Sequence, residues 1–94
     1  MKQKFRKLSF VHVGNNMPSE MSHFDKDFDA IVDGTFSQIH GGRDIDSYAV
    51  FKIKDGKIIN WIAWYKEDQL SLLPEQDIYK AEDMIEEYHF RRRK

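Results

Sequence analysis

Residues 47–65 read S-Y-A-V-F-K-I-K-D-G-K-I-I-N-W-I-A-W-Y, and this stretch decides the fold. It contains two runs rich in β-branched and aromatic residues, which are separated by Asp55 and Gly56. Asp-Gly tolerates the positive φ angles of a type I′ turn, whose twist matches that of the strands on either side. The stretch therefore predicts a β-hairpin with strands at residues 47–54 and 57–65.

Two further strands are predicted before the hairpin. In residues 28–39, successive side chains would point to opposite faces of a sheet, and the pattern has the period of two that a strand requires. Gly34 lies inside this segment and predicts a bulge or a sharp bend, as small barrels need at their corners. Residues 5–13 alternate in the same way and predict the first strand.

Polar and turn-forming residues separate these strands. Residues 17–27 are predicted to form a long loop. Gly41 and Gly42 indicate a turn, and Asp44 and Asp46 are expected to extend it into a polar loop.

The segment after the hairpin predicts the end of the sheet and the start of a helix. Residues 66–73 are expected to form a tight turn and a short closing strand, with Leu70, Leu72 and Leu73 as core residues. Pro74 is predicted to open the helix, because its fixed φ suits the first helical position.

The predicted helix has one apolar face. Its apolar members recur at helical spacing and are Ile78, Ala81, Ile85 and Tyr88. Glu87 and Arg91 form an i,i+4 pair in the favourable order. A helix of roughly 14 residues is marginal in isolation, so we expect it to dock on the barrel or on a partner. It is also the surface through which a homodimer would form.

Short sequential antiparallel strands followed by one helix predict a mainly β protein. We expect a small SH3-like antiparallel barrel of about five strands at residues 1–73. A C-terminal amphipathic helix and a basic tail occupy residues 74–94, within a single domain overall. A β-sandwich would need more strands, and an oligonucleotide-binding barrel usually has longer ones.

Composition restricts the class of protein. The chain has 94 residues, of which 40% are hydrophobic, and it contains no cysteine. Disulfides and cysteine zinc sites are therefore excluded, which fits a reducing compartment. No apolar run approaches the roughly 18 residues that span a bilayer. We expect a soluble cytoplasmic protein with no membrane partner.

Charge is distributed unevenly along the chain. The net charge is −1, but residues 2–7 and 91–94 together hold eight of the 15 basic residues. The intervening residues 8–90 hold 7 basic and all 16 acidic residues. The two ends would attract a polyanion, whereas the middle would repel one.

The run from residue 17 to residue 70 also carries a spaced motif. Its parts are M-P-S-E-M-S-H-F, A-I-V-D-G-T-F, G-G, S-Y-A-V and W-Y-K-E-D-Q-L. In this pattern the chain resembles a group of small phage and bacterial proteins with M-P-x-x-M-S-H-F, A-I-V-x-G-[ST]-[YF], G-G, S-Y and W-Y-x-E-x-Q-L. It departs at Ala63, where the group has serine. The resemblance implies an SH3-like barrel and a phage or prophage setting, and it implies no reaction.

An acidic segment imitates the start of a calcium-binding loop. Asp25, Asp27 and Asp29 alternate as in an EF-hand. That loop needs glycine at its sixth position and glutamate at its twelfth, where this chain has Ala30 and Phe36. We therefore interpret the segment as an exposed acidic loop.

The histidines do not form a metal or catalytic motif. They are His12, His23, His40 and His89, without an H-x-H or H-E-x-x-H spacing. They would bind a metal, or act as acid and base on RNA, only if the fold brought them together. No glycine-rich phosphate loop precedes a helix. We expect no enzymatic activity and no cofactor.

The leading functional prediction is a protein-interaction module that binds a host or phage protein. SH3-like domains bind partners in aromatic-lined grooves, and apolar side chains in a loop indicate contact. The predicted site consists of Met17, Met21, His23, Phe24, Tyr48, Trp64 and Tyr65. The alternative is that Met21 and Phe24 fold back and plug the barrel end.

Nucleic-acid binding is the second prediction, because small barrels bind strands with aromatic platforms and basic grooves. The predicted contacts are Lys4, Arg6, Lys7, Arg91, Arg92 and Arg93. This prediction requires the two basic ends to meet on one face. Trp61 and Phe51 are expected in the core, because alternating aromatic residues in a tight hairpin usually pack there.

Overall fold

A computed structural model of the chain describes residues 4–15, 25–40 and 43–92. These residues are mainly β, as predicted. The elements are β1 (Phe10–Val13), β2 (Phe28–His40), β3 (Arg43–Lys54), β4 (Lys57–Lys66), β5 (Leu70–Leu72) and α1 (Ile78–Arg92). A 3₁₀ turn at Glu67–Gln69 leads from β4 into β5.

The strands form one antiparallel sheet in the order β4-β3-β2-β1-β5. The first strand therefore lies between the second and the last, and β4 and β5 are the two edges. Among the described strands no pairing joins β4 to β5, so the sheet is not closed into a barrel there.

The hairpin prediction is confirmed. Asp55 and Gly56 connect β3 to β4 with φ values of 54° and 75°, the positive angles of a type I′ turn.

The predicted polar loop at Asp44 and Asp46 is wrong, because β3 already begins at Arg43. The cause is the length of β2, whose final residues pair with residues 43–47 and override local polarity.

Gly34 bends β2, as the sequence predicts. Its φ is 97°, and the register between β2 and β3 shifts between Val32 and Phe36. The side chain of Lys7 lies against this bend, since a Cβ added at Gly34 would stand 2.9 Å from Lys7 Cγ. Both the backbone angle and the close approach therefore require glycine here.

The first strand is shorter than predicted, because it begins at Phe10. Leu8 has a φ of 72°, which turns the chain out of a regular strand. The contact with β2 is nevertheless kept: the Leu8 N–H donates to the Val32 carbonyl at 2.8 Å, and the Val32 N–H donates to the Ser9 carbonyl at 2.9 Å. Residues 8 and 9 thus extend the pairing of β1 with β2 as an irregular segment.

The sheet carries apolar side chains on both faces. One face, the inner core, buries Phe5, Val11, Val13, Phe28, Ala30, Val32, Tyr48, Val50, Tyr65 and Leu70. The other face, the helix-side core, buries Phe10, Ile31, Phe51, Ile58, Ala81 and Tyr88. Alternation along each strand sends neighbouring residues to opposite faces, so the same short strands contribute to both cores.

The helix starts later than predicted. It begins at Ile78, and Pro74 lies in the segment before it. The Asp77 carboxylate accepts a hydrogen bond from the Lys80 N–H at 3.1 Å, so Asp77 caps the first turn.

A side chain explains the delay. Gln76 Oε1 accepts from the Phe10 N–H at 2.8 Å, and Gln76 Nε2 donates to the Phe10 carbonyl at 2.7 Å. This amide bonds the backbone of β1 as another strand would, which holds residues 73–77 against the sheet instead of in the helix.

The helix packs on the chain's own sheet. Ala81 and Tyr88 are buried there, whereas Ile78, predicted on the same face, is 59% exposed. Leu72, a predicted core residue, is likewise 57% exposed.

No helix in the described part of the chain is long and apolar enough to cross a membrane.

Arg91 ties the end of the helix to the edge strand. Its Nε donates to Glu87 Oε2 at 2.5 Å, which confirms the predicted i,i+4 pair. Its Nη2 donates to the backbone carbonyl of Ile58 in β4 at 2.6 Å. The edge of the sheet is therefore bonded at this point by a side chain of α1.

Candidate functional site

A cleft of about 400 Å³ lies between the C-terminal half of α1 and the sheet. Phe51 and Ile85 contribute apolar surface to its lining. Its polar and aromatic lining consists of Lys7, Asp33, Trp61, Tyr88, His89 and Arg92, and we call it the basic cleft. A volume of this size is within the range of ligand sites in proteins.

Trp61 presents an aromatic ring in the basic cleft. It pairs with Phe51 across the two strands, but it is 42% exposed, so the prediction that it is a core residue is wrong. Phe51 is buried, as predicted. Trp61 lies on the edge strand β4 and lines the basic cleft, whereas Ile58 on the same strand is fully buried.

A carboxylate fixes the orientation of the Trp61 indole. Trp61 Nε1 donates to Asp33 Oδ2 at 2.5 Å, and Asp33 Oδ1 accepts from the Thr35 N–H at 2.6 Å. The ring is therefore held by its polar edge, while much of its surface remains accessible to solvent.

Arg92 is positioned by the ring of Tyr88. Its guanidinium carbon lies 5.6 Å from the centre of that ring, and its Nη1 donates to Tyr88 Oη at 3.2 Å. A cation–π contact combined with a hydrogen bond restricts the side chain. The positive charge of Arg92 is thus oriented before any ligand arrives.

Lys7 is positioned by packing. Its aliphatic carbons lie against the bend at Gly34, and its side chain lines the basic cleft. The stem of a lysine can bury apolar surface while the ammonium group stays in water. Lys7 and Arg92 come from opposite ends of the sequence and meet at this cleft.

The other predicted nucleic-acid contacts do not line the basic cleft. Lys4 lies with its ammonium 5.4 Å from the Phe5 ring, and Arg6 is exposed elsewhere. Arg91 is engaged with Glu87 and with the Ile58 carbonyl, as described above. Arg93 lies outside the described residues.

The predicted protein-binding site is corrected in part. Met17, Met21, His23 and Phe24 lie outside the described residues. Tyr48 and Tyr65 are fully buried in the inner core, so their rings do not form the exposed aromatic floor that the sequence predicts. Trp64 is half-buried in β4.

Both buried tyrosines hold neighbouring backbone with their hydroxyl groups. Tyr48 Oη accepts from the Lys4 N–H at 2.7 Å and from the Phe5 N–H at 3.4 Å. Tyr65 Oη donates to the Asp25 carbonyl at 2.9 Å. Their role is to fasten irregular segments to the sheet, a role that an alternating aromatic pattern does not reveal.

Burial changes the acidity of these hydroxyl groups. Burial raises the pKa of Tyr48, although the Phe5 and Lys4 N–H groups oppose the change. For Tyr65, burial first and the Asp25 charge second raise the pKa from 10.0 to about 12. Neither tyrosine is therefore suited to lose a proton near neutral pH.

The acidic segment does not converge on one point. Asp25 pairs with Lys52 at 2.8 Å. Asp29 Oδ1 lies 3.0 Å from His12 Nδ1, and Asp27 Oδ1 lies 3.8 Å from His12 Nε2. Among the residues that the structure describes, no three acidic or histidine side chains are placed to hold a metal ion together.

A second cleft of about 560 Å³ lies beside the N-terminal half of α1. Its charged lining consists of Asp29, Glu75, Asp77 and Lys80. This acidic cleft has the opposite charge to the basic cleft, so the two halves of the helix face different electrostatic environments.

Comparison with protein families, with curated proteins and with solved structures finds no match to this chain. The resemblance to small phage and bacterial proteins therefore stays a prediction, and the function is inferred from the geometry of the clefts.

Proposed function

We propose that this protein is a non-enzymatic binding module that recognises an anionic partner in the basic cleft. The observation that carries the proposal is the meeting of Lys7 and Arg92 beside the exposed ring of Trp61. Packing against Gly34 restricts the aliphatic stem of Lys7, and the Tyr88 ring restricts the guanidinium group of Arg92. Orientation before binding lowers the entropy cost of association.

The charge balance of the basic cleft supports an anion. Asp33 is its one carboxylate among the described lining residues, and it already accepts two hydrogen bonds. The negative end of the α1 dipole, equivalent to roughly half a charge, opposes an anion there. The two positive charges of Lys7 and Arg92 exceed the negative charge of Asp33 and that half charge taken together, which leaves the lining with a small positive excess.

A charge-reversal comparison tests this proposal. The double variant Lys7→Glu, Arg92→Glu should elute from immobilised polyphosphate at a much lower salt concentration than the unchanged protein. The control Lys54→Glu, Lys57→Glu makes the same change in net charge at exposed lysines of the hairpin turn, away from the cleft. If both double variants elute together, net charge alone governs retention and the cleft is not the site.

A protein partner that contacts residues 17–24 is the second candidate function. One observation favours it: Asp25, which follows this segment, is fastened through its carbonyl to Tyr65 and through its carboxylate to Lys52.

Affinity capture tests this second candidate. Phe24→Ala should lose a captured protein that the unchanged chain and Tyr79→Ala both retain, Tyr79 being 81% exposed on α1. Equal capture by all three proteins would contradict it. The phage or prophage setting and the host or phage identity of the partner rest on the sequence resemblance and belong to the same proposal.

An SH3-like barrel remains our proposal for the class of fold. It is supported by the sheet order, in which β5 follows a 3₁₀ turn and pairs with β1. The first and the last strand in the sequence are therefore neighbours in the sheet.

A further inference from the structure

We propose that the basic cleft binds single-stranded nucleic acid, with one base stacked on Trp61 and the flanking phosphates between Lys7 and Arg92. This inference rests on the proposed function and names the class of anion. Its starting point is that the cleft combines an accessible aromatic ring with two cations, and not with cations alone.

The state of the Trp61 ring favours a base over a peptide carboxylate. Asp33 binds the indole N–H, so the polar edge of the ring is occupied. What remains exposed is apolar π surface, on which any base can stack irrespective of its identity. An acidic peptide would use the cations but would gain little from that surface.

The same geometry favours single strands over duplexes. In a duplex the base faces are covered by neighbouring base pairs, so Trp61 could not reach one without unstacking it. A single strand exposes its bases to aromatic side chains while its phosphates meet basic groups. The hydrogen bond that holds Trp61 in place reduces the ordering that such stacking would require.

Anisotropy titrations with labelled oligothymidylate and oligouridylate of about 12 nucleotides test the inference, because a single site of this class covers about that length or less. Titrations at several salt concentrations from about 50 to about 200 mM separate the charge contribution from the stacking contribution.

Two kinds of variant should respond differently. Trp61→Ala should weaken binding about tenfold or more with an unchanged salt dependence, because it removes stacking and no charge. Lys7→Ala and Arg92→Ala should each reduce the slope of log K against log salt by about 0.7, since each removes one phosphate contact. The matched controls, Tyr79→Ala for the ring and Lys54→Ala for the charge, should change neither quantity.

Tryptophan fluorescence tests the stacking without removing Trp61, so the test still works if Trp61→Ala fails to fold. In a Trp64→Phe background, Trp61 is the sole tryptophan. Its fluorescence should be quenched by the oligonucleotides and left unchanged by polyphosphate, which has charge but no base.

The outcomes distinguish the two proposals. Equal binding of oligonucleotide and polyphosphate, with no effect of Trp61→Ala and no quenching, would overturn base stacking and leave an anion site. Preference for poly-glutamate over the oligonucleotides would overturn nucleic acid in favour of an acidic protein. Absence of binding to any of these polyanions at about 50 mM salt would overturn the proposed function as well.

Discussion

At the residue scale, Tyr48 illustrates how one hydroxyl group holds the N-terminal segment. It accepts hydrogen bonds from the N–H groups of Lys4 and Phe5, and Phe5 is itself buried in the inner core against the Tyr48 ring, with ring centres 5.3 Å apart. A chain segment without regular structure is thereby fixed to the sheet, because its donors are satisfied by a buried acceptor.

Tyr48→Phe should lower the free energy of unfolding by about 1–3 kcal/mol, because it leaves a buried N–H group without an acceptor. Urea unfolding measures the loss. Tyr79→Phe is the matched control, since Tyr79 is 81% exposed and the same atom is removed there. Equal stability of the two variants would show that the Tyr48 hydroxyl does not hold the segment.

Gly34 determines both the bend of β2 and the position of Lys7. Gly34→Ala should cost about 1–3 kcal/mol, because alanine is strained at a φ of 97° and its Cβ would meet the Lys7 side chain. Urea unfolding of single and double variants separates the two causes: in a Lys7→Ala background the cost should be smaller. Gly14→Ala is the control, since its Cβ would stand 3.7 Å from its nearest neighbour, and it should be close to neutral. An unchanged cost in the Lys7→Ala background would mean that backbone strain alone matters.

At the element scale, α1 is held by a few apolar contacts. Tyr88 packs edge-to-face on Phe51, with ring centres 5.7 Å apart. Ala81 lies about two turns earlier on the same face of the helix and is fully buried. The helix has 15 residues, a length that is marginal in water alone, so its stability depends on this packing.

Tyr88→Ala should therefore destabilise the whole chain by about 3–5 kcal/mol, the usual cost of truncating a large buried aromatic residue. Thermal unfolding followed by circular dichroism measures it, and sheet and helix should unfold together. Tyr79→Ala, on the solvent side of the same helix, should change the midpoint little. Loss of helix signal with the sheet signal intact would show that α1 is not part of the cooperative unit.

The elements were predictable where a local rule determines them. Asp55 and Gly56 specify the hairpin turn and Gly34 the bend, because both rest on backbone angles of the residues themselves. The start of α1 was not predictable, because Gln76 is held by the backbone of Phe10, 66 residues away in the sequence. Pro74 suits a first helical position, but this distant contact overrides that preference.

The residue types of the candidate site were predictable from the sequence, but their arrangement was not. Basic ends and aromatic strands suggested nucleic acid, yet only the fold brings Lys7 to Arg92 and leaves Trp61 exposed. The same alternating pattern contains Tyr48 and Tyr65, which are buried. Period two separates two faces but does not tell which face is covered by a helix and which by the chain's own N-terminus.

At the scale of the whole molecule, the buried tyrosines make stability depend on alkaline pH. The folded-state pKa of Tyr65 is about 12, above the ordinary 10.0, so the folded chain favours the neutral phenol. The corresponding stability is fully present below pH 10.0 and is lost as the pH rises through about 12. Tyr48, whose pKa is also raised, adds in the same direction.

Urea unfolding at a series of pH values from about 9 to about 12 checks this expectation. The free energy of unfolding should fall over that interval, and Tyr65→Phe should show a shallower fall. Tyr79→Phe should follow the unchanged protein, because Tyr79 is exposed. A Tyr65→Phe profile parallel to that of the unchanged protein would contradict the assignment of the pH dependence to Tyr65.

The bond from Arg91 to the Ile58 carbonyl has a consequence for contacts between molecules. β4 is an edge strand, and a free edge invites a strand of another molecule to extend the sheet, which leads to aggregation. An incoming strand would have to displace a guanidinium that is also paired with Glu87. The register shift that leaves Ile59 as an extra residue beside Ile58 interrupts the same edge. The last turn of the helix therefore obstructs the pairing of another strand with β4 at Ile58.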